Sequence, residues 1–126
     1  MGKGKLTQNK VHLEEHEYQT VKLLLEEGHD IELIPPSNIK GYHSPDIVMD
    51  GTPWEMKAPI GNGKYTAQNI IQAAAQQSGN IIIDLRRCKM PEDKAINAFK
   101  REFSISKRMK VMKIINKNGE ILDFPK

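Results

Sequence analysis

The chain has 126 residues, the size of one domain with a single core. With 38% apolar and 28% charged residues it is neither fibrous nor disordered, and its one cysteine, Cys88, excludes an internal disulfide and any zinc site built on paired cysteines. The net charge of +3 is unevenly divided: residues 1–85 hold 7 Lys/Arg against 11 Asp/Glu, whereas residues 86–126 hold 12 against 5, which suits a protein that gathers metal or protons in one region and polyanions in another.

Residues 1–10 show no periodicity and read as a flexible lead-in to a single domain over 11–126. They contain no apolar leader core, and no apolar run approaches the ~18 residues of a membrane span. The chain therefore reads as cytoplasmic, with no membrane contact. Residues 11–27 carry a helical stripe that stops at Gly28, and Asp30–Ile34 reads as a short strand ended by Pro35-Pro36. Pro45–Met49 and Thr52–Ala58 read as strands joined by Asp50-Gly51, a strong two-residue hairpin signal. Tyr65–Gln77 is an alanine-rich helix whose small residues allow close approach to a sheet. Asn80–Arg87, with three consecutive isoleucines, fits a strand buried on both faces. A third helix runs from Pro91 to about Phe103, and Lys110–Asn116 and Glu120–Phe124 form a closing hairpin around Asn118-Gly119. The expectation is a mixed α/β (α+β) domain, with an αβββαβ core on a central mixed sheet followed by a helix and a β-hairpin.

The hairpin carries the chemistry. With Asp50-Gly51 as the central turn residues, Met49 faces Thr52, Ile47 faces Trp54, and Asp46 faces Glu55. Strand alternation then puts Ile47, Met49, Trp54 and Met56 on one face and Asp46, Glu55 and Lys57 on the other. Two carboxylates stand opposite each other, their Cβ atoms about 4.5–5.5 Å apart, with an ammonium two residues along. Such a pair repels unless a cation or proton lies between, and a hard divalent ion is a natural resident. A turn centred on Gly51-Thr52 instead sets Asp46 against Lys57 as a surface ion pair. On the first helix, Glu14 and Glu17 fall inside the stripe of Leu13, Tyr18, Val21, Leu24 and Leu25. One of them either completes a three-carboxylate site with Asp46 and Glu55 or merely favours the helix dipole.

This order, with Pro45-Asp46 and Glu55-x-Lys57 on a hairpin, resembles the PD-(D/E)XK nuclease core over residues 11–87. The run PDIVMDGTPWEMKAP…GNGKYTAQNIIQAAAQQSGNIIIDLRR is also similar to the C-terminal tRNase domains of bacterial contact-dependent growth-inhibition toxins. The resemblance implies an endoribonuclease toxin that cleaves tRNA and is neutralised by an immunity protein. Asp46, Glu55 and Glu17 would hold Mg²⁺ or Mn²⁺, Lys57 would position the nucleophilic water, and Glu14 or Glu17 would be the helix acid. Some toxin tRNases instead work without metal, through Lys, His, Tyr and Thr around the scissile phosphate. Lys57, Lys64, Tyr65, Thr66 and His43 are the matching residues here. A non-catalytic nucleic-acid-binding or phage-associated module of the same fold is the alternative from another class.

Lys64, Tyr65 and Thr66 open the second helix after a Gly-containing loop, where backbone N–H groups favour phosphate, although Thr66 also suits a helix cap. Arg86, Arg87 and Lys89 follow the buried strand. With Lys107, Arg108, Lys110 and Lys113 they are candidates for a phosphate-binding track, or for a solvated basic face. The same positive region would attract an acidic immunity protein. His12 and His16 read as solvated, and Cys88 as a structural thiol. Gln72, Gln76 and Gln77 read as a solvated helix face, with Gln77 at the border of the apolar stripe.

Overall fold

The computed structural model describes residues 3–36 and 44–126. In chain order the elements are β1 (Leu6–Thr7), α1 (Glu15–Glu26), β2 (Ile31–Leu33), β3 (Ile47–Met49), β4 (Thr52–Lys57), α2 (Thr66–Ala74), β5 (Asn80–Asp84), α3 (Glu92–Ile105), β6 (Val111–Ile115) and β7 (Ile121–Pro125). The strands form one seven-stranded sheet whose spatial order is the chain order. β3 runs antiparallel to both neighbours and β7 is antiparallel to β6. The pairs β1–β2, β4–β5 and β5–β6 are parallel. The fold is mixed α+β.

The hairpin register follows from its turn. Asp50 and Gly51 have φ of 51° and 87°, the positive values that a two-residue turn of matching twist demands. Met49 then pairs with Thr52, Val48 with Pro53, and Ile47 with Trp54. Ile47, Met49, Trp54 and Met56 enter a core layer with Val21 and Leu24 of α1. A second layer lies on the other face, where Ala67, Ile71 and Ala74 of α2 and Ala95, Phe99 and Phe103 of α3 cover Ile81, Ile83, Met112 and Ile114. Ile82 faces the α1 layer, so the isoleucine run is buried on both sides of the sheet.

Residues 1–10 carry no strand pattern, yet Leu6–Thr7 pairs with Ile31–Glu32. The Gly4 N–H donates to the Leu25 carbonyl at 2.7 Å, and the Lys5 N–H to the Asp30 carboxylate at 2.8 Å. A Cβ at Gly4 would collide with the His29 carbonyl, so this crossing needs glycine. Backbone contacts, not side-chain periodicity, hold this strand. Tyr18, expected in the apolar stripe of α1, is 46% exposed.

The parallel pairing also corrects the basic track. Asn80 pairs with Val111 and Asp84 with Ile115. Arg86 and Arg87 follow the carboxyl end of β5, whereas Lys107, Arg108 and Lys110 precede the amino end of β6. At least seven residue steps along the strand direction separate the groups, about 23 Å. They lie at opposite ends of the sheet, so they do not form one contiguous cluster.

Candidate functional site

At the carboxyl ends of the parallel strands, the start of α1, the β3–β4 hairpin, α2 and the turn after β5 enclose a cavity of about 290 Å³. Its walls include His16, Glu17, Asp46, Lys57, Ile70 and Arg87. Crevices at this end are where open α/β sheets bind ligands.

Asp46 lies one residue before β3, opposite Glu55. Its N–H donates to the Trp54 carbonyl at 3.1 Å, and its carboxylate accepts the Met56 N–H at 2.9 Å, extending the ladder beyond the last paired residues. Glu55 is 2% exposed. Lys57 Nζ stands 3.3 Å from its carboxylate, and the Gln77 side-chain amide packs against both oxygens, able to donate to them once turned over. Burial pushes the Glu55 carboxyl up to about 8; the hydrogen bond and charge of Asp46 add to this, and Lys57 opposes it. Glu55 therefore holds its proton near neutrality.

Glu14 and Glu17 are engaged differently. The Glu14 N–H donates to Glu17 Oε1 at 2.9 Å, one half of a reciprocal capping box at the start of α1. The Glu14 side chain is 75% exposed, while Glu17 is half-buried and faces the cavity. Among the described residues no three His, Cys, Asp or Glu side chains gather closely enough to hold a metal ion. Glu17 is thus not brought into a cluster with Asp46 and Glu55. It is turned to its own helix cap, and Glu55 is committed to Lys57 and Gln77 within the sheet layer.

Arg86, expected at the substrate, is tied into the fold. Its Nη2 donates to Asp84 at 2.8 Å and to the Gln19 carbonyl at 2.9 Å, while Thr20 Oγ1 donates to Asp84 at 2.6 Å. Burial acts to raise the Asp84 carboxyl, but the hydrogen bonds from Arg86 and Thr20 and the Arg86 charge outweigh it and hold the group below its ordinary range. This triad fastens α1 to β5. Removing Arg86 would leave the buried Asp84 carboxylate without its charge partner. An aspartate ending an isoleucine run, two residues before an arginine, was its signal in the sequence. Arg87 is exposed, and its Nε donates to the Ala58 carbonyl at 2.8 Å on the rim of the cavity.

Lys64 and Tyr65 are exposed and lie outside this cavity, with Lys64 Nζ 5.6 Å from the Tyr65 ring centroid. Thr66 is the first residue of α2, with Tyr65 as its N-cap, so it does not fill the capping position. Lys107, Arg108 and Lys110 are exposed at the far end of the sheet. His12 is exposed, His16 lines the cavity, and His43 lies outside the described residues. Cys88 is buried, its thiol 3.4 Å from the Gly61 carbonyl. Gln77 is half-buried against Glu55, whereas Gln72 and Gln76 are exposed. Its border position on the helix stripe was the one sign of that role.

Residues 43–121, which include the Asp46–Glu55–Lys57 hairpin, match the family model described as the contact-dependent growth inhibition CdiA C-terminal domain. The chain belongs to that family. CdiA C-terminal membership makes it a toxin domain. A solved chain titled "CdiA-CT/CdiI toxin and immunity complex from Burkholderia pseudomallei" is similar over 98% of this chain and 100% of its own length, with a TM-score of 0.70 and 20% identity. The likeness extends the shared fold to α1 and β1, which the family model does not reach. A comparison with curated proteins finds no match. Among the described residues, no helix is long and apolar enough to cross a membrane.

Proposed function

We infer that this CdiA C-terminal domain is an endoribonuclease that cuts tRNA in the cytoplasm of the cell it enters, and that the cavity beside Asp46 and Lys57 is its reaction centre. The observation that carries the reading is the opposition of Asp46 to a buried Glu55 that touches Lys57, at the edge of a polar cavity lined by Asp46 and Lys57. Two opposed carboxyl groups beside a cavity mark a place that a divalent cation can take. Mg²⁺ or Mn²⁺ accepts such oxygens, with water and substrate phosphate completing its shell. Asp46 and Glu55 would hold the ion, and Glu17 would join only on leaving its cap. This is the PD-(D/E)XK arrangement. The ion, when bound, supplies Lewis acidity and a water of lowered pKa.

The chain's own groups do the rest. The Lys57 ammonium, about one-third exposed, is fixed by Glu55 and neutralises charge that develops on the phosphate. Arg87, anchored to Ala58, clamps a neighbouring phosphate oxygen at the rim. His16 lies on the same wall within reach of a leaving oxygen. Because Lys57, His16 and Arg87 share one cavity, a second reading is cleavage by the RNA 2′-hydroxyl without metal. The basic residues 86–126 suit an acidic immunity protein, a partner supported by the toxin–immunity complex of the similar structure.

The test is incubation of total tRNA, other RNA and plasmid DNA with the domain in Mg²⁺, Mn²⁺ or EDTA. Discrete tRNA fragments that need metal, and that disappear with Asp46→Ala or Glu55→Ala in a folded protein, are the expected result. EDTA-resistant cutting selects the second reading. Full activity in both variants would sink the proposed site.

A further inference from the structure

A second concave surface lies on the α2–α3 face, beyond the loop that leaves β4. It is a groove of about 510 Å³ whose lining includes Lys64, Lys94 and Arg101 and no carboxylate. Lys94, Asn97 and Arg101 recur at i, i+3 and i+7 on α3, so they form one stripe, and Lys64 faces it from the start of α2. The floor is apolar, made by Ala67, Met90 and Ala98. Arg101 has a neighbouring acid, Glu102, at 3.5 Å, but its own side chain is 70% exposed, so that pair leaves its charge available. Tyr65, next to Lys64, is 58% exposed, an aromatic face turned to solvent.

One loop contributes to both the groove and the reaction cavity. Ala58 and Pro59 line the cavity, and Gly63 and Lys64 line the groove. The five residue steps from Ala58 to Gly63 span at most about 18 Å, a few nucleotides of extended RNA. That connection is anchored at its centre. The Lys89 N–H donates to the Ile60 carbonyl at 2.9 Å, and the Cys88 thiol reaches the Gly61 carbonyl.

We propose that the Lys64–Lys94–Arg101 groove, with Tyr65 at its edge, binds a single-stranded RNA segment adjoining the bond to be cut. Three cations without a facing acid recognise phosphates, an exposed tyrosine stacks on an unpaired base, and an apolar floor takes sugar and base edges. The volume is that of a nucleotide-sized ligand site, far smaller than a protein interface, which favours RNA over an acidic protein here. The proposal rests on the RNA-cleaving reading and gives it a substrate class, RNA whose backbone is unpaired beside the cleavage position.

The test is fluorescence-anisotropy binding of an eight-nucleotide 2′-O-methyl RNA in EDTA, over a salt series, with the whole domain. In this ligand neither a metal-activated water nor a 2′-hydroxyl can act. Lys94→Ala/Arg101→Ala should weaken binding about tenfold and flatten the log–log salt slope by about 1.4, at ~0.7 per phosphate contact on a single strand. Tyr65→Ala should weaken binding at least about fivefold with an unchanged slope, because stacking releases no counterion. Lys107→Ala/Arg108→Ala serves as a charge-matched control, and its slope on this short ligand should equal the parent's. An unchanged Lys94/Arg101 variant, or an equal loss in the control, would overturn the groove. Binding does not depend on turnover, so the two readings separate. A parent that cuts no RNA but shows this groove dependence defeats only the nuclease reading, and a parent that cuts RNA while the groove variant binds normally defeats only the groove.

Discussion

The two ends of the sheet use charge in opposite ways. At the carboxyl ends of the parallel strands nearly every ionic group is held by another: Glu55 by Lys57 and Gln77, Asp84 by Arg86 and Thr20, and Glu17 by the backbone of Glu14. At the amino end, Lys107, Arg108 and Lys110 are exposed and make no ion pair among the described residues. Fixed, desolvated charges can be aimed at a developing charge, whereas solvated lysines supply attraction without direction. The comparison separates charges fixed by partners from charges left to solvent.

The largest expected effect is on stability and concerns the first end alone. Glu55 has a folded-state pKa of about 8 against an ordinary 4.5, raised mainly by burial. The folded protein therefore keeps a proton that the unfolded chain has released. The stability linked to this group is full below about pH 4.5 and is lost as pH climbs through 8, by a few kcal/mol in all. In EDTA, urea midpoints of the parent should fall from pH 5 to pH 9, while Glu55→Gln should show a flatter profile. Parallel profiles would mean that the pair is not held as an acid. Mg²⁺ should counter the fall at high pH, since an ion displaces the proton.

Next comes turnover. Lys57→Ala should lower kcat about 100-fold with KM nearly unchanged, in keeping with a directed charge at the reacting centre. A KM effect with unaltered kcat would move Lys57 to the class of the far-end lysines and break the comparison. The smallest effect belongs to those lysines. Lys107→Ala/Arg108→Ala/Lys110→Ala should raise KM for intact tRNA about three- to tenfold, leave saturated turnover alone, and not affect a short oligonucleotide that cannot reach the far end. An equal change on both substrates would show that the far end acts through the overall field.

Legibility followed the range of the interactions. The opposition of Asp46 and Glu55 could be read because a two-residue turn fixes register locally, and Asp50-Gly51 is such a turn. The buried isoleucine run and the small-residue stripe of α2 were readable for the same reason, since each is a local pattern with one packing solution. The cap that engages Glu17 was not legible, because a capping box and an acid aimed at a site present the same residue type at the same stripe position. Arg86 was assigned to substrate although Asp84, two residues before it, is its ion-pair partner; the Gln19 carbonyl that also holds Arg86, and the Thr20 hydroxyl that holds Asp84, come from α1, more than sixty residues away. β1 was illegible: two residues carry no period, and its contacts are made by backbone groups that the side-chain sequence does not encode.

The identity of spatial and chain order in the sheet has a mechanical consequence. No strand is inserted between two that precede it, so each can be added to, or peeled from, a growing edge without disturbing pairs already made. Traction on the carboxyl terminus should strip β7, then β6, then β5 as successive small events, not as one simultaneous rupture. On the return path each strand docks against the one synthesised or delivered just before it, although the parallel pairs must first close crossovers of about two dozen residues. A toxin domain that must become active inside another cell gains from an architecture that can be unthreaded and rewound from one end.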